Sequence, residues 1–297
     1  MKDQKILMTG AAGKIGGFLV KSLLDKGYGN ITLLCVTENE ISRLSGLRVG
    51  GLRGDLLDVK SYSAALEGVD TVVHMAAVTH TNDKARYFRV NAEATLDLVN
   101  ACKAKGVRRF IHVSTRAISE RGGAYSESKS LAEKHVSESG LDWVIIRPAE
   151  VYGISGKEGV DMVLKNIRKF PVIPVLGNGK YKVAPVHIAD VVRAITGVID
   201  NPGRKNRIYN IAGPEEFTYN EFIDKVLTLN GVSKIKIHIP VFMFRALAEV
   251  LALVFKDRFL AVDQIPRLLS DKSADISLAA HELGFKPARL EDMFNNG

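Results

Sequence analysis

Thr9-Gly10-Ala11-Ala12-Gly13-Lys14-Ile15-Gly16 follows directly on the apolar run Ile6-Leu7-Met8 and opens a helical pattern. Three glycines in the spacing G-x-x-G-x-x-G let the backbone turn tightly and let a pyrophosphate approach, while the helix N-terminus supplies N–H donors and positive potential. Such a spacing is weak alone, but between the first strand and first helix of an alternating chain it marks a dinucleotide turn. The alternation is present. Apolar runs at Ile31 to Val36, Val69 to Met75, Arg109 to Ser114 and Trp143 to Arg147 (closed by Pro148) are separated by helical patterns. The helical stretches lie near 16–26, 60–67, 84–105 and 124–139. Near-continuous apolar strands between helices predict a parallel sheet covered on both faces.

The fold class expected is therefore α/β, a doubly wound parallel sheet of the Rossmann type with a smaller, mostly helical C-terminal substrate domain. Residues 1–150 form the dinucleotide-binding domain, and 183–212 return to it through a helix at Val186 to Ile199 and a strand at Arg207 to Ile211. Residues 151–182, rich in Gly, Lys and Pro, and 213–297 make up the substrate domain. Within the tail, 241–256 is strongly apolar but shorter than a membrane span and interrupted by Arg245 and Glu249. It reads as a helix packed in the small domain, with peripheral membrane contact as the other reading.

Composition excludes some classes. Cys35 and Cys102 are the only cysteines, too few for a disulfide framework, and the seven histidines show no metal-binding spacing, so no metal is expected. The net charge of +8 favours anionic ligands, but the basic residues are scattered and no nucleic-acid motif appears, so no nucleic-acid partner is expected. The start of the chain carries no secretory pattern, which with the cysteine usage points to the cytoplasm.

Tyr125-Ser126-Glu127-Ser128-Lys129 puts a phenol and an ammonium one helical turn apart on the same face. A phenol is a poor base at neutral pH, and a nearby ammonium favours its phenolate. The strand end Ser114-Thr115 precedes this helix. Together with the glycine turn, the pair predicts hydride and proton transfer between a nicotinamide cofactor and an alcohol or ketone.

In order along the chain, these segments resemble the extended short-chain dehydrogenase/reductases of the NAD-dependent epimerase/dehydratase family. They are Thr9 to Gly16, Gly54-Asp55-Leu56, His74-Met75-Ala76-Ala77, Val90-Asn91, Val113-Ser114-Thr115, Tyr125 to Lys129, Arg147-Pro148, Val151-Tyr152-Gly153 and Pro185 to Asp190. The resemblance implies that Tyr125 is the general acid/base, that Lys129 holds the nicotinamide ribose, and that Thr115, with Ser114 as the alternative, hydrogen-bonds the reacting oxygen. It implies cofactor contacts at Gly10, Ala12, Gly13, Lys14, Ile15, Asp55, Leu56, Met75, Ala76, Ala77, Tyr125, Lys129, Pro148 and Val151. Substrate contacts are expected at Thr79, Glu150 and Lys182. The cofactor is NAD or NADP, because the segment after the second strand, Val36-Thr37-Glu38, lacks an acid at the usual place.

Departures from the family pattern narrow the reaction. Thr115 is followed by Arg116-Ala117 where 4,6-dehydratases carry Asp-Glu, which argues against dehydration. Glu150 stands where many relatives have asparagine, and its carboxylate would repel a diphosphate unless protonated or turned away. The turn Gly177 to Val183 lacks the arginine that often grips the nucleotide phosphates; Lys182 could substitute only as a point charge. The expected function is a sugar-nucleotide epimerase or reductase with a small-molecule substrate, acting as a homodimer. The alternatives are a dehydrogenase of a hydrophobic or lipid-linked alcohol and a non-catalytic dinucleotide-binding module.

Overall fold

Six strands in the first half of the chain build most of the sheet: Ile6–Thr9 (β1), Ile31–Cys35 (β2), Gly50–Arg53 (β3), Thr71–His74 (β4), Arg109–Val113 (β5) and Asp142–Pro148 (β6). β1, β4 and β5 are buried along their whole length, as strands covered on both faces must be. The structure is a computed structural model and describes residues 2–44, 46–47, 49–120, 122–154, 159–246, 265–272 and 274–293.

Helices cover both faces: Gly16–Asp25 (α1), Glu38–Leu44 (α2), Lys84–Tyr87 (α3), Ala94–Ala104 (α4) and Gly123–Ser137 (α5). α3 and α4 are joined by a π-helical turn over Phe88–Glu93. The stretch near 60–67 is two short 3₁₀ turns rather than one helix, because Asp58 caps the first and Tyr62, at φ −133°, breaks the run between them.

Beyond β6 come Val151–Tyr152 (β7), Gly159–Asn166 (α6), Val172–Leu176 (β8), Lys182–Val183 (β9), Val186–His187 (β10), Ile188–Asp200 (α7) and Arg207–Ile211 (β11). The last part contains Phe217–Thr218 (β12), Tyr219–Leu229 (α8), Ile235–Ile239 (β13), Ile265–Leu269 (α9) and Ser277–Leu283 (α10). The tail is thus less purely helical than its sequence suggests: β13 pairs in parallel with β8, and β12 antiparallel with β9. Most of the apolar stretch 241–256 lies outside the described residues. Among the described residues no helix is long and apolar enough to cross a membrane.

The central sheet has seven parallel strands in the order β11-β6-β5-β4-β1-β2-β3. Strand order reverses between β1 and β4, and the crevice beyond their C-terminal ends is where open sheets of this kind bind ligands. Leu19, Leu23, Val191, Ile195 and Val198 pack on one face of the sheet, and Leu66, Leu98, Val99 and Cys102 on the other. A third core joins Tyr152, Val160 and Ile173 to Phe222, Ile223 and Val226, so 151–183 and the 217–229 region pack together across the intervening return to the sheet.

Candidate functional site

The glycine turn has the geometry its spacing implies. Gly10 has φ +72°, and a Cβ there would sit 2.5 Å from the Ala76 nitrogen. A Cβ on Gly16 would lie 2.5 Å from the Ala11 carbonyl oxygen. Helix α1 begins without a side-chain cap, so its first N–H groups remain available to an anion in the crevice. Ala12, Gly13, Lys14 and Ile15 form the partly exposed rim of this turn. The backbone N–H groups of Met75 and Ala76 both donate to Thr9 Oγ1 at 3.3 Å, which fixes the start of the Met75-Ala76-Ala77 segment against the turn. These residues fit a dinucleotide.

At the adenine end, Asp55 is exposed and its Oδ1 accepts from Leu57 N at 3.0 Å. It caps a local turn. Leu56 is buried in the core beside Leu34.

Tyr125 and Lys129 lie on α5, both nearly buried. The Tyr125 ring meets Tyr87 edge-on at 5.8 Å and carries the Arg267 guanidinium above it, 4.8 Å from the ring centre. Lys129 Nζ donates to the Val113 carbonyl at 3.2 Å and lies 3.2 Å from His112 Nε2. Burial pulls its ammonium down to about 8, and Glu133 partly opposes this. Thr115 Oγ1 accepts from Ala117 N at 3.0 Å, which leaves its O–H to donate elsewhere. Ser114 Oγ is buried with no partner among the described residues. Arg116 supplies no carboxylate for elimination; its backbone N–H donates to the Pro148 carbonyl at 2.8 Å.

Glu150 is paired. Lys272 Nζ, nearly buried, lies 2.5 Å from Glu150 Oε1. Burial alone would raise this carboxyl, but Lys272, assisted by Arg267 and Lys14, outweighs it and holds the group below the ordinary carboxylate range. The repulsion expected of a lone carboxylate is thereby met by a local cation. Pro148 and Val151 flank this residue at the end of β6 and in β7. The Thr79 carbonyl accepts from Arg267 at 3.1 Å, so Thr79 lies beside the same cation. Lys182 is placed differently: its Nζ lies 2.5 Å from Glu216, while its backbone holds Asp271 and Lys272 in place.

Arg267, Lys272 and His112 were not legible as site residues. Arg267 and Lys272 are far in sequence from the groups they meet, and His112 sits inside an apolar strand pattern with no spacing signal.

The ion pair makes a stability prediction. A folded-state carboxyl held low contributes stability above the ordinary glutamate range, and that contribution fades as pH falls through it. Lys272→Met leaves the partly buried Glu150 carboxylate without its nearest cation and is expected to cost about 1–3 kcal/mol in urea unfolding at neutral pH. Adding Glu150→Leu should recover most of that loss, and equal losses in the single and double variants would contradict the pairing.

A family model described as the NAD dependent epimerase/dehydratase family matches residues 6–212. The chain belongs to that family. It is an NAD-dependent enzyme of the extended short-chain dehydrogenase/reductase type, with the family's Rossmann-type sheet. It is 25% identical over 310 residues to a UDP-glucose 4-epimerase of Vibrio cholerae, covering 96% of this chain and 91% of that one. It is 28% identical to NADH dehydrogenase (ubiquinone) 1 alpha subcomplex subunit 9, mitochondrial, of Dictyostelium discoideum, covering 78% of this chain and 65% of that one. The structure resembles UDP-glucuronic acid 4-epimerase from Bacillus cereus, solved with UDP-glucuronic acid and NAD. That match has a TM-score of 0.76 at 23% identity and covers 98% of this chain and 97% of the other.

Proposed function

We propose that this family member is a sugar-nucleotide epimerase or reductase in which Tyr125 moves the proton. The observation that carries the reading is the Arg267 guanidinium, which lies over the Tyr125 ring and, with Lys272 and Lys14, acts on Glu150. A turn at 177–183 without an arginine leaves the phosphates of a nucleotide sugar without their usual partner. The guanidinium of Arg267, brought from a different segment, offers a forked donor of the kind that grips phosphate. In this reading Tyr125 takes the proton of a sugar hydroxyl and Thr115 donates a hydrogen bond to the same oxygen. Lys129 holds the cofactor ribose beside them. The bound nicotinamide supplies the hydride acceptor and donor. Return of hydride to the opposite face of the ketone gives epimerisation, and a single transfer from the reduced nicotinamide to a ketone, with Tyr125 giving the proton, gives reduction.

The test is calorimetric titration with uridine, thymidine and guanosine diphosphates in the presence of saturating NAD+, and again with NADP+. Tight binding of one of them is the expected result. Binding of none would replace the nucleotide sugar with a hydrophobic or lipid-linked alcohol.

The family resemblance also supports a homodimer through α4 and α5, whose outward positions include the partly buried Leu96 and Leu131. Light scattering at working concentration should give the mass of two chains, and Leu131→Arg should give one. A monomer in the unaltered protein would refute this arrangement.

A further inference from the structure

Thr9, His74 and His112 sit in one cross-strand row at the C-terminal end of the sheet, directly beneath the cofactor crevice. Thr9 is opposite His74, and His74 is opposite His112. Both histidines are fully buried, and their rings stack at 5.3 Å. Their hydrogen bonds differ. Thr9 Oγ1, already accepting from the Met75 and Ala76 N–H groups, lies 2.7 Å from His74 Nδ1. His74 Nε2 lies 2.9 Å from Thr95 Oγ1, whose hydroxyl donates to the Asn91 carbonyl at 2.7 Å.

The donors run one way along this chain. The Thr95 proton is spent on Asn91, so His74 Nε2–H donates to Thr95, and Thr9 O–H donates to His74 Nδ1. At His112 the direction is opposite. An ammonium can only donate, so His112 Nε2 accepts from Lys129 Nζ at 3.2 Å and the ring proton is on Nδ1, which has no partner among the described residues.

We propose that His112 is a positioning residue for Lys129: its Nε2 anchors the ammonium from beneath, and it is held in the neutral tautomer opposite to that of His74. The arrangement rests on the reading of Lys129 as the residue that holds the cofactor. His112 and the Val113 carbonyl take two of the three ammonium protons, which leaves one to point up into the crevice. Neither histidine competes for the charge. Burial, then Lys129, lowers His74 to about 3, and burial with Lys129 and His74 puts His112 well below the ordinary histidine range. The other groups around Lys129 are Tyr125 and Glu133 on its own helix, Arg147 on β6, which donates to Glu133 at 2.9 Å, and Arg116 beside that pair.

Two measurements on the full chain test the proposal, and neither needs the substrate. Long-range ¹⁵N spectra of histidine-labelled protein should show His112 protonated at Nδ1 and His74 at Nε2, both neutral throughout the stable pH range. NAD+ affinity, followed by calorimetry against pH, should fall as Lys129 loses its proton. His112→Phe deletes the acceptor, so the ammonium form is lost at lower pH. The midpoint should move down by about one unit, with affinity near pH 8 falling about fivefold. His112→Gln, whose side-chain oxygen can accept, should stay with the unaltered protein.

A proton on His112 Nε2 would overturn the proposal, as would a His112→Phe profile that follows the unaltered one. If the unaltered protein bound no NAD+, the cofactor assignment would fail, and the spectra would still decide the tautomers. They also decide the question if His112→Phe does not fold.

Discussion

Tyr125→Phe is expected to remove nearly all turnover while leaving NAD+ binding within about threefold of the unaltered protein. General acid/base groups contribute about 10²–10⁴ in rate, so the loss should fall in or above that range. The substitution is a clean one because the ring is held by contacts that do not involve the hydroxyl. Tyr87 meets it edge-on at 5.8 Å, and the Arg267 guanidinium lies over its face. Phenylalanine keeps both contacts, so unfolding free energy should change by less than about 0.5 kcal/mol, as for substitutions that disturb no packing. The assay is conversion of the nucleotide sugar that the diphosphate titration selects into its epimer, or consumption of reduced nicotinamide with the corresponding ketone, read beside NAD+ calorimetry on the same preparation. Turnover near that of the unaltered protein would remove Tyr125 from the mechanism. Equal losses of turnover and cofactor affinity would make it a binding residue instead.

The reach of sequence reading into this site follows the range of each interaction. Tyr125 and Lys129 are legible because helical geometry places residues four apart on one face. The glycine turn is legible because its conformational demand is local, and Gly10 at φ +72° is where that demand falls. β1, β4 and β5 are legible because burial on both faces forces unbroken apolar runs. β3 is not. Gly50–Arg53 is a largely exposed edge strand with two glycines, and pairing with β2 is what fixes it. The Glu150 carboxylate looks like an obstacle in the sequence and becomes half of an ion pair in the fold, since its partner Lys272 arrives from the far end of the chain. Charge compensation of that kind depends on tertiary contacts that carry no period or spacing. The same limit hid His112, whose role is set by the α5 helix lying across the end of β5.

Gly10→Ala should lose both stability and cofactor binding. Two costs act on one atom. The backbone at φ +72° lies in the left-handed region, where an L side chain costs roughly 1–2 kcal/mol. The new methyl would also stand 2.5 Å from the Ala76 nitrogen and 2.7 Å from the Met75 carbonyl carbon, both backbone atoms that cannot swing aside. Overpacking of this kind costs about 1–3 kcal/mol more. The sum, roughly 2–5 kcal/mol, should appear as a lower urea midpoint. Relief of the clash has to part the turn after β1 from the segment after β4. Thr9 Oγ1 would then lose the Met75 and Ala76 N–H groups that it accepts, and the crevice would widen at the proposed pyrophosphate site. NAD+ affinity should therefore fall by at least about a hundredfold, equivalent to a little under 3 kcal/mol. Gly17→Ala is the control, because a Cβ there meets nothing nearer than 4.0 Å. If Gly10→Ala and Gly17→Ala bound NAD+ equally well, the close approach of the two strand ends would have no part in holding the cofactor.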